Sequence, residues 1–218
     1  MGRMDSGKGT RGGAARDSGR GRFFVIDGVD GCGKTTQAQC LVRALGVEPG
    51  LHLREPGSTP LGEELRRLLL SREYSIEAAV ETLMFAAARR QMLDTLVEPA
   101  LALGKHVVCE RFNPSTYAYQ AFAGELDEEE VLALLSTWAA TPAPDLIVVL
   151  DVDVTAAATR RGAATDRIEA KGLEFQRAVA EGYRRYVEIS PHAVLIDGSG
   201  SVEAVHAAVL EEVDRVLD

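Results

Sequence analysis

The stretch FFVIDGVDGCGKTTQAQCL, residues 23–41, constrains the fold more than any other part of the chain. An apolar run ending at Asp27 enters a glycine-rich turn and then, without a linker, a helical pattern that reaches about Leu45. Gly28-Val29-Asp30-Gly31-Cys32-Gly33-Lys34-Thr35 fits G-x-x-x-x-G-K-[ST]. Glycines allow the backbone to curl around an anion with its N–H groups inward. The helix that follows adds its dipole and its unpaired amides. Lys34 brings a full charge towards β- and γ-phosphates, and the Thr35 hydroxyl suits Mg²⁺. Gly28 through Thr36 is therefore expected to cradle a nucleotide's phosphates. The loop does not say which nucleotide, nor where the phosphoryl group goes.

Four more strand-like runs follow: LHLRE (51–55), HVVCE (106–110), DLIVVLDV (145–152) and AVLID (193–197). Helical patterns separate them, at 61–71, about 76–103, near 115–122, 128–140, after 152, about 173–189 and 201–217. Strands alternating with helices imply right-handed crossovers and a mainly parallel sheet. Near-continuous apolar strands imply burial on both faces. The expected fold is α/β, a P-loop NTPase-type five-stranded parallel sheet with helices on both sides. With 218 residues there is room for one such domain, read as 23–218.

Residues 1–22 differ in kind. Seven glycines and six Lys or Arg against two Asp give a local charge of +4, so of the total of -9 the body carries -13. The tail has too little apolar surface to offset ordering and is expected to be disordered. An acidic body argues against nucleic acid as a main partner, because phosphate backbones need a basic face. No apolar run approaches a membrane span. Cys32, Cys40 and Cys109 show neither paired nor metal-ligand spacing, which suggests free thiols in the cytoplasm. Cys32, among loop amides at a helix N-terminus, is expected to favour the thiolate.

Further stretches set the acceptor. REPGST (54–59), ETLMFAAARRQ (81–91), ERFNPSTYAYQ (110–120) and RRGAATDRIE (160–169) follow the loop in order. Together they resemble the thymidylate kinases, over nearly all of residues 23–217. The fold implied is nucleoside monophosphate kinase-like, with a lid around 160–172. The reaction implied is ATP-dependent phosphorylation of dTMP to dTDP with Mg²⁺, in a homodimer formed through the helix at 76–103.

The resemblance also implies roles. Asp30 would bond the acceptor's 3′-hydroxyl, and Arg54 its phosphate; otherwise Arg54 pairs with neighbouring Glu55. Phe85 would stack on thymine and Arg89 read a base carbonyl, although a ring at that spacing is ordinarily core. Arg111 would lie between the two phosphates, with Ser115 and Tyr119 lining the acceptor pocket and Gln120 near the base. Some family members carry a catalytic arginine in the loop where this chain has Gly31. The cation for the transferred group is thus expected from Arg160, Arg161 or Arg167. One departure stands out: the acid before Arg111 is Glu110, where the family has Asp. Glu110 would still organise Mg²⁺ with Thr35, through water. Glu-Arg at this point also resembles the deoxyribonucleoside kinases, whose Glu is a base towards a 5′-hydroxyl. A third reading is a non-catalytic nucleotide switch, which the missing N-K-x-D and D-x-x-G disfavour.

Overall fold

A computed structural model describes residues 19–124, 126–162 and 167–218. Strands β1 (Phe23–Gly28), β2 (His52–Arg54), β3 (Val107–Glu110), β4 (Leu146–Asp151) and β5 (Ala193–Asp197) form one parallel sheet. Their spatial order is β2-β3-β1-β4-β5, with every neighbouring pair parallel. The chain reverses direction of travel at β1, and the switch opens a crevice beyond the carboxyl ends of β1 and β3. All six residues of β1 are buried, as expected of a central strand covered on both faces.

The helices are α1 (Lys34–Leu45), α2 (Pro60–Leu70), α3 (Ala78–Met92), α4 (Glu98–Ala102), α5 (Asn113–Thr116), α6 (Glu128–Ser136), α7 (Val154–Arg161), α8 (Leu173–Ile189) and α9 (Val202–Leu217). Helices α1 and α9 pack together over the sheet, α5 packs with α8, and α2 lies along α3. The pattern expected as one helix over 76–103 is α3 and α4 joined by a π-helical stretch, Leu93–Val97. Pro99 begins the last piece without breaking the rod, because it falls in the first turn of α4. A second π-helical stretch, Tyr117–Phe122, continues α5. Such insertions re-aim side chains and often mark sites. Thr59 caps α2 by accepting from the Gly62 amide, with Pro60 at the first helical position.

The tail was expected to be disordered over 1–22. Residues 1–18 lie outside the described residues. Residues 19–22 are held: Gly21 N donates to Leu101 O at 2.9 Å, and Arg20 and Arg22 both reach Asp145 at 3.4 Å. The last two arginines of the basic tail thus belong to the folded body, against an acid at the start of β4.

Candidate active site

A pocket of about 400 Å³ opens at the carboxyl edge of the sheet. Asp30, Gly31, Lys34 and Thr35 line it from the loop, and Glu110, Arg111, Ser115, Thr116, Tyr119 and Gln120 from β3 and the helical stretch after it. The far end is closed by Arg54, Phe85 and Arg89. The rest of the loop lies behind this lining: Gly28, Val29 and Cys32 are buried beneath it, Gly33 leads into α1, and Thr36 is exposed on that helix.

Gly31 has φ 88°, and a Cβ there would meet Ala157 O of α7 at 2.1 Å. No side chain fits, so the loop itself cannot supply an extra cation. Lys34 Nζ lies 3.2 Å from both Val29 O and Asp30 Oδ1. Asp30 also pairs with Arg111 Nη2 and accepts from the Tyr119 hydroxyl at 3.2 Å. Burial alone would push the Asp30 carboxyl up, but Arg111 and Lys34 outweigh it and hold the group well below the usual range. The anion therefore gathers two cations and a phenol at the pocket floor.

Arg111 has φ 68°, an unusual conformation for a residue other than glycine. Its surroundings impose it. Arg111 N donates to Ile26 O at 3.1 Å, and the next amide, Phe112 N, donates to Asp27 Oδ2 at 3.1 Å. Asp27, fully buried at the end of β1, also accepts from Gly28 N, Ser115 N and the Tyr183 hydroxyl. Ser115 Oγ lies 2.8 Å from Asp27 Oδ1 and accepts from Arg111 Nη1 at 3.1 Å. Ser115 thus lines the pocket chiefly as the support of Arg111.

Glu110 is half-buried with both oxygens engaged. Thr35 Oγ1 donates to Oε2 at 2.5 Å, and His52 Nε2 to Oε1 at 3.0 Å. The longer acid thus reaches the loop threonine, and a β2 histidine steadies its other end.

Arg54 is exposed and pairs with Glu63 at 3.2 Å, not with Glu55 as its alternative reading had it. Adjacent residues at a strand end face opposite ways. Glu55 turns inward to Arg89, whose Nε reaches its two oxygens at 3.0 and 2.8 Å. Burial pushes the Glu55 carboxyl up against the pull of Arg89. Phe85, four residues before Arg89, both touches the core and faces the pocket.

The three lid arginines part company. Arg161 lines the pocket, and its buried Nε has no hydrogen-bond partner. Arg160 donates to Gly198 O at 3.5 Å, behind the loop. Arg167, expected among the catalytic cations, instead pairs with buried Glu81 and bonds Leu69 O at 3.1 Å. A carboxylate only 2 % exposed demands a cation, and Arg167 supplies it. Residues 163–166, including Asp166 of DRIE, lie outside the described residues.

Cys32 corrects another expectation. It is 2 % exposed, and burial pushes its thiol up, so the expected thiolate does not follow. The helix N-terminus is close, but the low-dielectric surroundings win.

Sequence reasoning missed Asp27, His52, Glu81 and Arg66, the last of which lines the pocket and donates to Pro56 O at 3.1 Å. Asp27 carried a signal, being a carboxylate closing an otherwise apolar strand. Glu81 carried one too, lying four and eight residues before Phe85 and Arg89 on one helix face.

A thymidylate kinase family model matches residues 26–209. A thymidylate kinase of Caldanaerobacter subterraneus subsp. tengcongensis is 40% identical over 202 residues, 91% of this chain and 97% of the relative. That of Pelotomaculum thermopropionicum is 39% identical over 91% and 95% of the two chains, and that of Fervidobacterium nodosum 36% over 89% and 100%.

Proposed function

This chain belongs to the thymidylate kinase family, and from that premise we propose how its pocket carries out the ATP-dependent phosphorylation of dTMP to dTDP. The enzyme is a nucleoside monophosphate kinase, a transferase that uses ATP as phosphoryl donor. The observation that carries the residue roles is the junction at Asp30, where the loop lysine and Arg111 meet beside one pocket.

ATP lies with its phosphates over the loop amides, and Lys34 turns to the β- and γ-oxygens. The dTMP phosphate lies against Arg111 and Arg54. A phosphate monoester oxygen is already anionic near neutral pH, so no strong base is needed. That oxygen bonds to the γ-phosphorus as the bond to the bridging β–γ oxygen breaks, and ADP departs. The protein's work is to hold two polyanions in line and cancel their repulsion. Arg161, turned to the pocket with a free Nε, is the lid cation for the transferred group. Asp30, with Tyr119, takes the sugar 3′-hydroxyl. Phe85 stacks on thymine, and Arg89 and Gln120 meet the base edge.

Thr35 and Glu110 present two oxygens near the phosphate loop, a donor set that suits Mg²⁺ bound mainly by phosphate oxygens and water. Among the described residues no cluster of three or more His, Cys, Asp or Glu could hold a metal by itself, which fits an ion arriving with ATP. When bound, Mg²⁺ neutralises the β- and γ-oxygens. Glu110 is committed to Thr35 and His52, which leaves it poorly placed as a base towards a 5′-hydroxyl.

The test is ADP release with dTMP, dUMP, dCMP, AMP and thymidine offered in parallel. Turnover should be fastest with dTMP, and a preference for thymidine would replace this reading with nucleoside phosphorylation. Phe85→Ala should raise the KM for dTMP about tenfold, the worth of one stacked ring of about 1–1.5 kcal/mol, and leave that for ATP within twofold. An unchanged KM for dTMP returns Phe85 to the core.

We extend the reading to a homodimer. Val80 and Leu83 on α3 are 50% and 58% exposed, Trp138 nearby 74%, and Arg90 of α3 donates to the carbonyls of Trp138 and Thr141. Exposed apolar side chains on this helix and beside it are what a second copy would cover. Light scattering should return twice the 23.4 kDa chain mass; a monomer at micromolar concentration removes this part. Among the described residues no helix is long and apolar enough to cross a membrane.

A further inference from the structure

The wall of the pocket that carries Gln120 is not a free-standing side chain. Gln120 is 3 % exposed, and its Nε2 donates to Glu81 Oε1 at 2.8 Å. The other oxygen of Glu81 pairs with Arg167 Nη2. Arg167 is fixed in turn by Leu69 O, through Nε at 3.3 Å and Nη2 at 3.1 Å, and by its own amide to Leu70 O at 3.4 Å. This relay runs from the end of α2 through the first turn of α3 to the π-helical stretch after α5.

A carboxylate paired with arginine has oxygens that only accept. Facing it, the amide of Gln120 has one allowed sense: NH₂ towards Glu81, carbonyl the other way. No donor among the described residues reaches Gln120 Oε1. The pocket wall therefore offers an acceptor at this point, and a glutamine without Glu81 would offer either a donor or an acceptor.

We propose that Glu81 is a positioning residue that sets base choice, by locking the Gln120 amide with its carbonyl towards the pyrimidine. The proposal rests on the reading above that Gln120 meets the base. Thymine and uracil carry N3–H, a donor that matches this carbonyl. Cytosine has a bare N3, an acceptor that meets it oxygen to lone pair. Discrimination thus originates two side chains away from the base, in the charge of Glu81.

Glu81→Gln keeps the shape and removes the lock. Arg167 still requires an oxygen, so the new amide turns its NH₂ to Gln120, and Gln120 must turn over to accept. The pocket then presents a donor. Expected for Glu81→Gln is a fall of at least about tenfold in kcat/KM for dTMP, the worth of one hydrogen bond of about 1.4 kcal/mol. The value for dCMP should hold or rise. Gln120→Met should lower the dTMP-to-dCMP ratio similarly, and the double variant should fall no further, since both act through one amide. Equal losses for dTMP and dCMP, or single effects that multiply in the double variant, would overturn the proposal. Should the variants fail to fold, the wild-type chain decides by calorimetry with dUMP and dCMP, which differ at N3 and position 4 of the ring alone. dCMP must bind at least about tenfold more weakly than dUMP, and equal binding sinks the assignment. Failure of the family reading looks different, as wild-type protein that turns over no deoxynucleoside monophosphate at all.

Discussion

Replacing Arg111 with alanine is expected to lower kcat by about a thousandfold or more, the scale on which arginines at a transferred phosphoryl group act, while the protein still folds. The guanidinium stands between Asp30, inside the glycine-rich loop, and Ser115, and both hold it by its two terminal nitrogens. Its backbone occupies the left-handed region at φ 68° because Ile26 O and Asp27 take the amides on either side. That restraint suits the role proposed for Arg111, a charge held in one orientation towards two phosphates. Lysine should not rescue, because one ammonium cannot span Asp30 and Ser115 and still offer a flat pair of donors. Steady-state rates with dTMP and ATP, beside a melting curve, check this. A folded Arg111→Ala enzyme with near-normal turnover would remove Arg111 from the phosphate site.

Arg89→Ala should be the most destabilising single change near the pocket, by about 3–5 kcal/mol, the cost of orphaning one half of a buried ion pair. For a domain of this size that is roughly 10 °C in Tm or more. Arg89 is 1 % exposed, reaches both oxygens of Glu55, donates to Asn113 Oδ1 at 2.6 Å and Thr116 Oγ1 at 3.0 Å, and stacks over Phe112 at 4.6 Å. Removal leaves Glu55, 5 % exposed, as an unpaired buried charge. It also unties the end of β2 from α3 and α5. Glu55→Gln in the Arg89→Ala background should recover part of the loss, because a neutral amide tolerates burial better than a bare carboxylate. A Tm within about 2 °C of wild type, under 1 kcal/mol, would show that the pair contributes little.

Most of the architecture was written in local pattern. Five apolar runs ended within two residues of their expected limits, since a strand buried on both faces leaves polar residues nowhere to go before its ends. The phosphate loop was legible for a similar reason, because few other uses explain Gly28, Gly31 and Gly33 beside Lys34. What escaped was long-range pairing. The sequence set Glu55 beside Arg54 and grouped Arg167 with Arg160 and Arg161. In the folded chain the alternation of a strand sends Glu55 to a helix 34 residues on, and Arg167 reaches back 86 residues to Glu81. Buried charges choose partners by desolvation, and that choice leaves no trace in spacing. His52 escaped likewise, as its tie to Glu110 crosses between strands.

The contact of Gly31 with the Ala157 carbonyl has a consequence for how such enzymes can diverge. Helix α7 rests on the loop at the one spot where a larger residue would stand, and that same helix ends in Arg161. Grafting an arginine into position 31 would therefore push the helix off the loop and shift Arg161 with it. A side chain at position 31 and the present seat of α7 thus exclude each other, and any change that puts bulk on the loop must also move the helix that holds Arg161.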